Sequence, residues 1–518
     1  MNARRLLSLV AVATALLAGP RAHAALLTLD EATDAITALD VDRARTLLAK
    51  LDPKDPEVAL QLARLALYED DCDTAVTELE KAGVEKLKAT KDLKPIAAGC
   101  ARGSGGTLVV NDLTFGVRVR LQDDADLALV PLIGETIHKQ LAVLEKDLGV
   151  KMPRPVRVNL VRDQATLSVM TGLPYDAART TGTVGIAKYG RVIMLSPRAI
   201  PYGYGFRDTL AHELTHLALS RGTLDRAPLW LQEGVAKREE ARWREATPID
   251  GLSSPDVFAA KGLEAGLGRP LDGIGPSVAM LPSAQQAAVV YAEVTSFVRF
   301  LAGDRAGETP TAPSDPTVLP RLVKALATAK DVDAALVEVT GKDLKAWDGI
   351  WRPWVMGKKA LPDGAYPDPK AKRKDPRPAR NAVRLGELLL ARKHLAAARK
   401  ELEPLAGETK DPWIMAWVAR GRLLGGDPTG AKALLDPFKV MGDSGLFWAL
   451  RGDALRAIGV TGKETVQAYL EAIAHAPLSV EAACGWSDVA PEPTEFPSIG
   501  RAVAQALCTA AKSEAPKD

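Results

Sequence analysis

Residues 208–222 read Asp-Thr-Leu-Ala-His-Glu-Leu-Thr-His-Leu-Ala-Leu-Ser-Arg-Gly, a His-Glu-x-x-His motif inside a helix-forming segment. Asp208 suits the start of that helix and Gly222 its end, while Leu210, Leu214 and Leu217 form an apolar stripe facing a core. Residues four apart share one helix face, so His212 and His216 can present two imidazoles to a single metal ion. Glu213 is turned by about 100° from His212, near enough to touch a metal-bound water without filling a ligand position. The bland reading is two histidines satisfied on an ordinary helix. With six histidines in the whole chain, chance explains this spacing poorly.

A catalytic zinc uses three protein ligands plus a water, so two histidines leave it short. Gly222 stands where the metzincin pattern His-Glu-x-x-His-x-x-Gly-x-x-His needs its third histidine, and Leu219 replaces that pattern's glycine, which excludes the class. Downstream, residues 227–237 read Ala-Pro-Leu-Trp-Leu-Gln-Glu-Gly-Val-Ala-Lys and open a new helix, with Pro228 suited to its first turn. Glu233 lies 17 residues after His216, far enough for a turn and a return helix, and is the expected third ligand. The expected site is one zinc per chain on His212, His216 and Glu233, with Glu213 as general base.

The remainder of the chain sets the context. At 518 residues it exceeds one ordinary core, and about 150 residues per domain suggests some three units. Apolar content of 47% and charged content of 25% are those of a folded soluble protein, and a net charge of +2 offers no global field for nucleic acid. Residues 1–24 read as a secretory signal peptide: Arg4 and Arg5, the apolar run Leu6 to Ala18, and the small-x-small site Ala22-His23-Ala24. That run of 13 residues falls short of a membrane span, which needs about 20. The mature chain, from Ala25, is expected to be exported to the periplasm or secreted, with no transmembrane segment. Export permits disulfides, and the local pairing Cys72 with Cys100 and Cys484 with Cys508 closes the shortest loops; the alternative is four buried free thiols.

Composition divides the mature chain further. Residues 25–104 look all-helical, and residues 381–515 show repeating small and apolar positions, such as Leu385-Gly386 with Ala398 and Leu402, like degenerate tetratricopeptide units. Between them, residues 105–357 mix strands and helices: β-branched alternation over Leu108–Leu121, a strand over Pro155–Val161, and a hairpin turning at Tyr189-Gly190. Residues 358–380, rich in proline and carrying Lys372-Arg373-Lys374, read as a solvated linker. The repeats offer a surface for a protein partner.

On these residues the run from Thr107 to Val355 resembles the peptidase MA-like domain, a gluzincin family often found beside tetratricopeptide repeats in exported bacterial proteins. The resembling pieces are Val156–Val161, the hairpin at Gly182–Pro197, Thr209–His216, Pro228–Ala236, Tyr291–Leu301 and Trp347–Trp354. The resemblance implies an α+β, zincin-like metallopeptidase domain flanked by all-α arms, acting on a peptide or protein substrate by zinc-activated water. Related gluzincins offer a tyrosine or histidine to the oxyanion from a later helix. Tyr291 is the candidate by position, a core tyrosine is the alternative reading, and Tyr202 and Tyr204 are its rivals. Two departures stand out. Lys237 occupies the position, four after the ligand glutamate, where the thermolysin family has an acid, and no Gly-x-Met-Glu-Asn element captures a free N-terminus. The second departure favours an endopeptidase. The competing expectation is a tetratricopeptide-type binding scaffold whose zincin core is catalytically inactive.

Overall fold

The computed structural model describes residues 20–200, 203–244, 254–274, 277–304, 315, 317–358, 377–408, 411–438, 444–489 and 498–514. Most of the expected leader, most of the expected linker, Tyr202 and most of the Pro- and Thr-rich segment after Gly303 lie outside them.

One five-stranded sheet runs in the order β1-β2-β3-β5-β4. Its strands are β1 (Leu108–Asp112), β2 (Val117–Leu121), β3 (Val156–Val161), β4 (Gly185–Lys188) and β5 (Arg191–Leu195). The outer pairs β1–β2 and β4–β5 are antiparallel, and the inner pairs β2–β3 and β3–β5 are parallel. The β4–β5 hairpin turns where expected. Tyr189 and Gly190 both take positive φ, 50° and 68°, as a two-residue hairpin loop matched to strand twist requires.

Side chains alternate across the sheet and both faces are covered. Val156, Val158, Val192 and Met194 enter the main core with Phe206, Leu210 and Leu214, while Val161, Ile193 and Leu195 join Leu67, Cys72, Cys100 and Met170 on the other side. That second face is covered by the N-terminal helices, and a buried polar knot fastens them there. Arg191, fully buried, donates from Nη1 to the Leu67 carbonyl at 2.9 Å and to Asp70 Oδ1 at 3.1 Å. Arg120 Nε reaches Asp70 Oδ2 at 2.8 Å, and Asn159 Nδ2 reaches Asp70 Oδ1 at 2.9 Å. Each buried charge thus has an opposite charge or a hydrogen bond, without which burial would be costly.

This arrangement corrects the expected fold class. Helix makes up 69% of the structure and the sheet is small, so the chain is a mostly-α fold rather than an α+β zincin-like core with separate all-α arms. The physical reason lies in β5. Its Arg-Val-Ile-Met-Leu run is buried at every position, so a helical layer is required on each face, and residues 56–104 supply one of them. The C-terminal helices build a core of their own around Ala398, Ala431, Phe447 and Tyr469, yet also return to the centre. Leu478 and Val503 pack against the main core, and the Tyr204 N–H donates to the His475 carbonyl at 2.8 Å.

Both expected cysteine pairs, Cys72–Cys100 and Cys484–Cys508, are bridged. Among the described residues one helical stretch, Asp124–Leu148, is long and apolar enough to cross a membrane by length and composition; 61% of its most apolar 18 residues are buried, and it packs in the main core against the sheet.

Candidate metal centre

Three helices build the site. Phe206–Thr223 carries the His-Glu-x-x-His motif, and Leu210, Leu214 and Leu217 anchor it in the core as expected. Its ends differ from expectation. Gly205 stands at the N-cap without a side-chain cap, and Asp208 instead accepts from Trp243 Nε1 at 2.9 Å and Arg244 Nη2 at 2.6 Å. The helix runs past Gly222 to Thr223 and stops at Leu224 in the left-handed region. Gly222 serves packing instead, since a Cβ there would lie 2.6 Å from Val323 Cγ1.

The second helix, Leu229–Glu239, carries Glu233, and the third, Ala284–Ala302, carries Tyr291. Trp230 stacks edge-on against Phe297 with centroids 5.2 Å apart, fixing these two helices together. Gly234 lets them approach closely: a Cβ there would sit 2.5 Å from the Val294 carbonyl oxygen and 2.5 Å from Val298 Cγ2.

The three expected ligands converge. His212 Nε2 and His216 Nε2 stand 3.2 Å apart, and each is 3.5 Å from Glu233 Oε2. Ligand atoms around a tetrahedral zinc, each at about 2.1 Å from the ion, stand about 3.4 Å from one another, so the three spacings fit such an ion. The Glu233 oxygen is buried and makes no normal hydrogen bond, as suits an atom meant for a cation. Charge supports the same fit. Burial alone would lower the pKa of His212, yet Glu233, Glu240 and Glu213 raise it to about 9. Burial would raise the Glu233 carboxyl, but the two histidines hold it far below the carboxylate range. The pocket therefore stabilises added positive charge, and a bound cation would displace the proton that otherwise supplies it. A second cluster, Asp70 with Cys72 and Cys100, has metal-like proximity, but both sulfurs are bonded to each other.

The remote imidazole nitrogens are also engaged. His212 Nδ1 is 3.1 Å from Glu240 Oε2, and His216 Nδ1 is 3.1 Å from Gln232 Oε1. These acceptors orient the rings and fix their tautomers with Nε2 free for a metal. Sequence reasoning missed both. Glu240 had a legible signal, because it lies seven residues, or two turns, beyond Glu233 on the same face; Gln232 had none beyond adjacency.

Glu213, only 6% exposed, lies beside the ligand atoms against the edge strand β4, where it meets the Ala187 backbone N–H. Burial, and after it the Glu233 charge, push its pKa up against the pull of the two histidines. Gly185 makes room for it: a Cβ on Gly185 would lie 3.1 Å from Glu213 Cγ and Oε1. Tyr291 is half-buried, and burial with the charges of Glu233, Glu213 and Glu240 pushes its phenol well above 10, keeping it a neutral donor. Among the described residues no hydrogen bond occupies its hydroxyl. Tyr204, by contrast, donates its hydroxyl to the Leu195 carbonyl and is not available. Tyr202 lies outside the described residues.

No family model and no curated protein matches this chain.

Proposed function

We propose that this chain is an exported zinc-dependent peptidase, an endopeptidase of the gluzincin ligand type, that hydrolyses peptide bonds. The observation that carries the reading is the convergence of His212 Nε2, His216 Nε2 and Glu233 Oε2 within 4.8 Å of one another, with Glu213 beside them as a carboxylate outside the ligand set. Zinc, when bound by these three residues, supplies Lewis acidity towards a carbonyl and makes a nucleophile of water near neutral pH.

The chain's own groups then divide the work. Glu213, raised by burial, is suited to take the proton of the attacking water and to hand it to the departing amine nitrogen. Tyr291 keeps its proton and offers it as a hydrogen bond to negative charge developing on the scissile carbonyl oxygen. Glu240 and Gln232 hold the two imidazoles in one orientation, so no reorganisation is needed as the reaction proceeds. Export is supported by the leader composition and by two bridged cysteine pairs, which persist in an oxidising compartment.

The test is E213Q against the wild type on a mixed peptide library, with cleavage products sequenced by mass spectrometry. E213Q keeps the size of the side chain and removes the base, so cleavage should fall by about 10² to 10⁴-fold while zinc is retained. Internal cleavage by the wild type is expected. A zinc-loaded wild type that cuts no peptide would favour the scaffold reading instead.

A further inference from the structure

The catalytic roles proposed above leave Lys237 unassigned, yet Lys237 stands where the thermolysin family has an acid, one turn after Glu233 on the same helix. Its ammonium lies 3.0 Å from Glu240 Oε1 and 2.9 Å from Glu240 Oε2, straddling the carboxylate. The same Oε2 is 3.1 Å from His212 Nδ1. On the other side the ammonium lies 5.6 Å from the Tyr291 ring centroid, within cation–π range. One side chain therefore touches both the group that orients a ligand and the ring of the proposed oxyanion donor.

The local backbone explains why a cation is needed. Glu240 is the C-cap of Leu229–Glu239, where the helix dipole is negative and disfavours a carboxylate. Lys237, in the last turn of that helix, offsets this and anchors both oxygens. An ionised carboxylate accepts hydrogen bonds only, so a tethered Glu240 requires the proton of neutral His212 to sit on Nδ1. Nε2 is then left with its lone pair, aimed at His216 and Glu233. His216 obtains the same tautomer from an uncharged amide oxygen on Gln232, which needs no counter-ion.

Resting on the zinc reading above, we propose that Lys237 is a positioning residue that acts through Glu240, tethering the carboxylate that fixes His212 for metal ligation. The shifted arrangement, an acid seven residues after the ligand glutamate with a lysine at the fourth, replaces a single acid at the fourth position.

Zinc affinity, measured by competition with a chromophoric chelator on the full mature chain, tests this without reference to catalysis. The wild type and H212A set the baseline: equal affinity in the two would overturn the ligand reading, and is distinguishable from failure of the present inference. Given tight wild-type binding lost in H212A, E240Q should bind zinc about 10 to 100-fold more weakly, the usual loss for an outer-shell carboxylate. K237M should weaken binding at least about tenfold, and K237R, whose guanidinium reaches the same carboxylate, should recover most of it. Because Lys237 works through Glu240, K237M/E240Q should be no weaker than E240Q alone, a non-additive result. Wild-type affinity in K237M, or losses that multiply in the double variant, would overturn the proposal. If K237M does not fold, unchanged affinity in E240Q would overturn it by itself.

Discussion

Replacing Gly234 by alanine puts one methyl group between the two helices that carry Glu233 and Tyr291. The added Cβ would lie 2.5 Å from the Val294 carbonyl oxygen and 2.5 Å from Val298 Cγ2, whereas real contacts begin at 3.0 Å and become ordinary beyond 3.4 Å. Relief therefore takes a retreat of 0.5 to 0.9 Å, the differences 3.0 − 2.5 and 3.4 − 2.5. Val294 offers backbone, so the helices Leu229–Glu239 and Ala284–Ala302 must separate as bodies, drawing Tyr291 away from Glu233. Overpacking of this kind costs about 1 to 3 kcal/mol, against which alanine gains about 1 kcal/mol in helix propensity, leaving a net loss of about 0 to 2 kcal/mol. The functional effect is larger. A catalytic group misplaced by 1 Å can cost about 10²-fold, so G234A should lose roughly 10 to 100-fold in turnover. Glu233 adjoins Gly234 on one of the displaced helices, so zinc affinity should fall too, by less than turnover because His212 and His216 sit on the third helix. Thermal melting, chelator competition and peptide turnover on one preparation separate these effects. Full turnover with unaltered melting would refute the close helix contact and the placement of Tyr291 that depends on it.

Two further outcomes follow from the same structure. Y291F should keep its fold and its zinc and lose about 10² to 10³-fold in kcat at similar KM, since a donor to transition-state charge contributes little to ground-state binding; steady-state kinetics decides, and wild-type kcat would make Tyr291 a core residue. Glu293 is buried to 1% exposure, and burial raises its pKa from 4.5 to about 7. The unfolded chain thus ionises first as pH rises, so stability should fall between about pH 4.5 and 7 and level off above. E293Q should flatten that slope and melt higher than the wild type at pH 8, by up to about 3 kcal/mol in stability. Parallel melting profiles for the two proteins from pH 5 to 8 would refute the buried-acid reading.

The convergence of His212, His216 and Glu233 was legible because helix periodicity converts i and i+4 into one face, and because Glu233 sits in a segment too apolar to be a surface loop. The β4–β5 turn was legible because Tyr189-Gly190 must take positive φ. The fold class was misread for a reason β5 itself displays. Arg191-Val-Ile-Met-Leu195 lacks the alternation of a half-exposed strand, and an unbroken apolar run demands cover on both faces, which the N-terminal helices provide. Asp208 was misassigned because a cap is a local inference, whereas its partners Trp243 and Arg244 are 35 and 36 residues away. Gly185 and Gly234 were illegible as site residues, since their role is the absence of a side chain facing atoms remote in the chain.

The central claim is that His212, His216 and Glu233 hold one metal ion, and metal analysis of the purified mature chain tests it most directly. Inductively coupled plasma mass spectrometry after dialysis should return about one zinc per chain for the wild type and for E213Q, because three deprotonated ligands and one open position complete a tetrahedral site. H212A and E233A should return almost none. Full zinc occupancy in H212A and E233A, or a folded wild type that takes up no zinc from a zinc-replete buffer, would contradict the account.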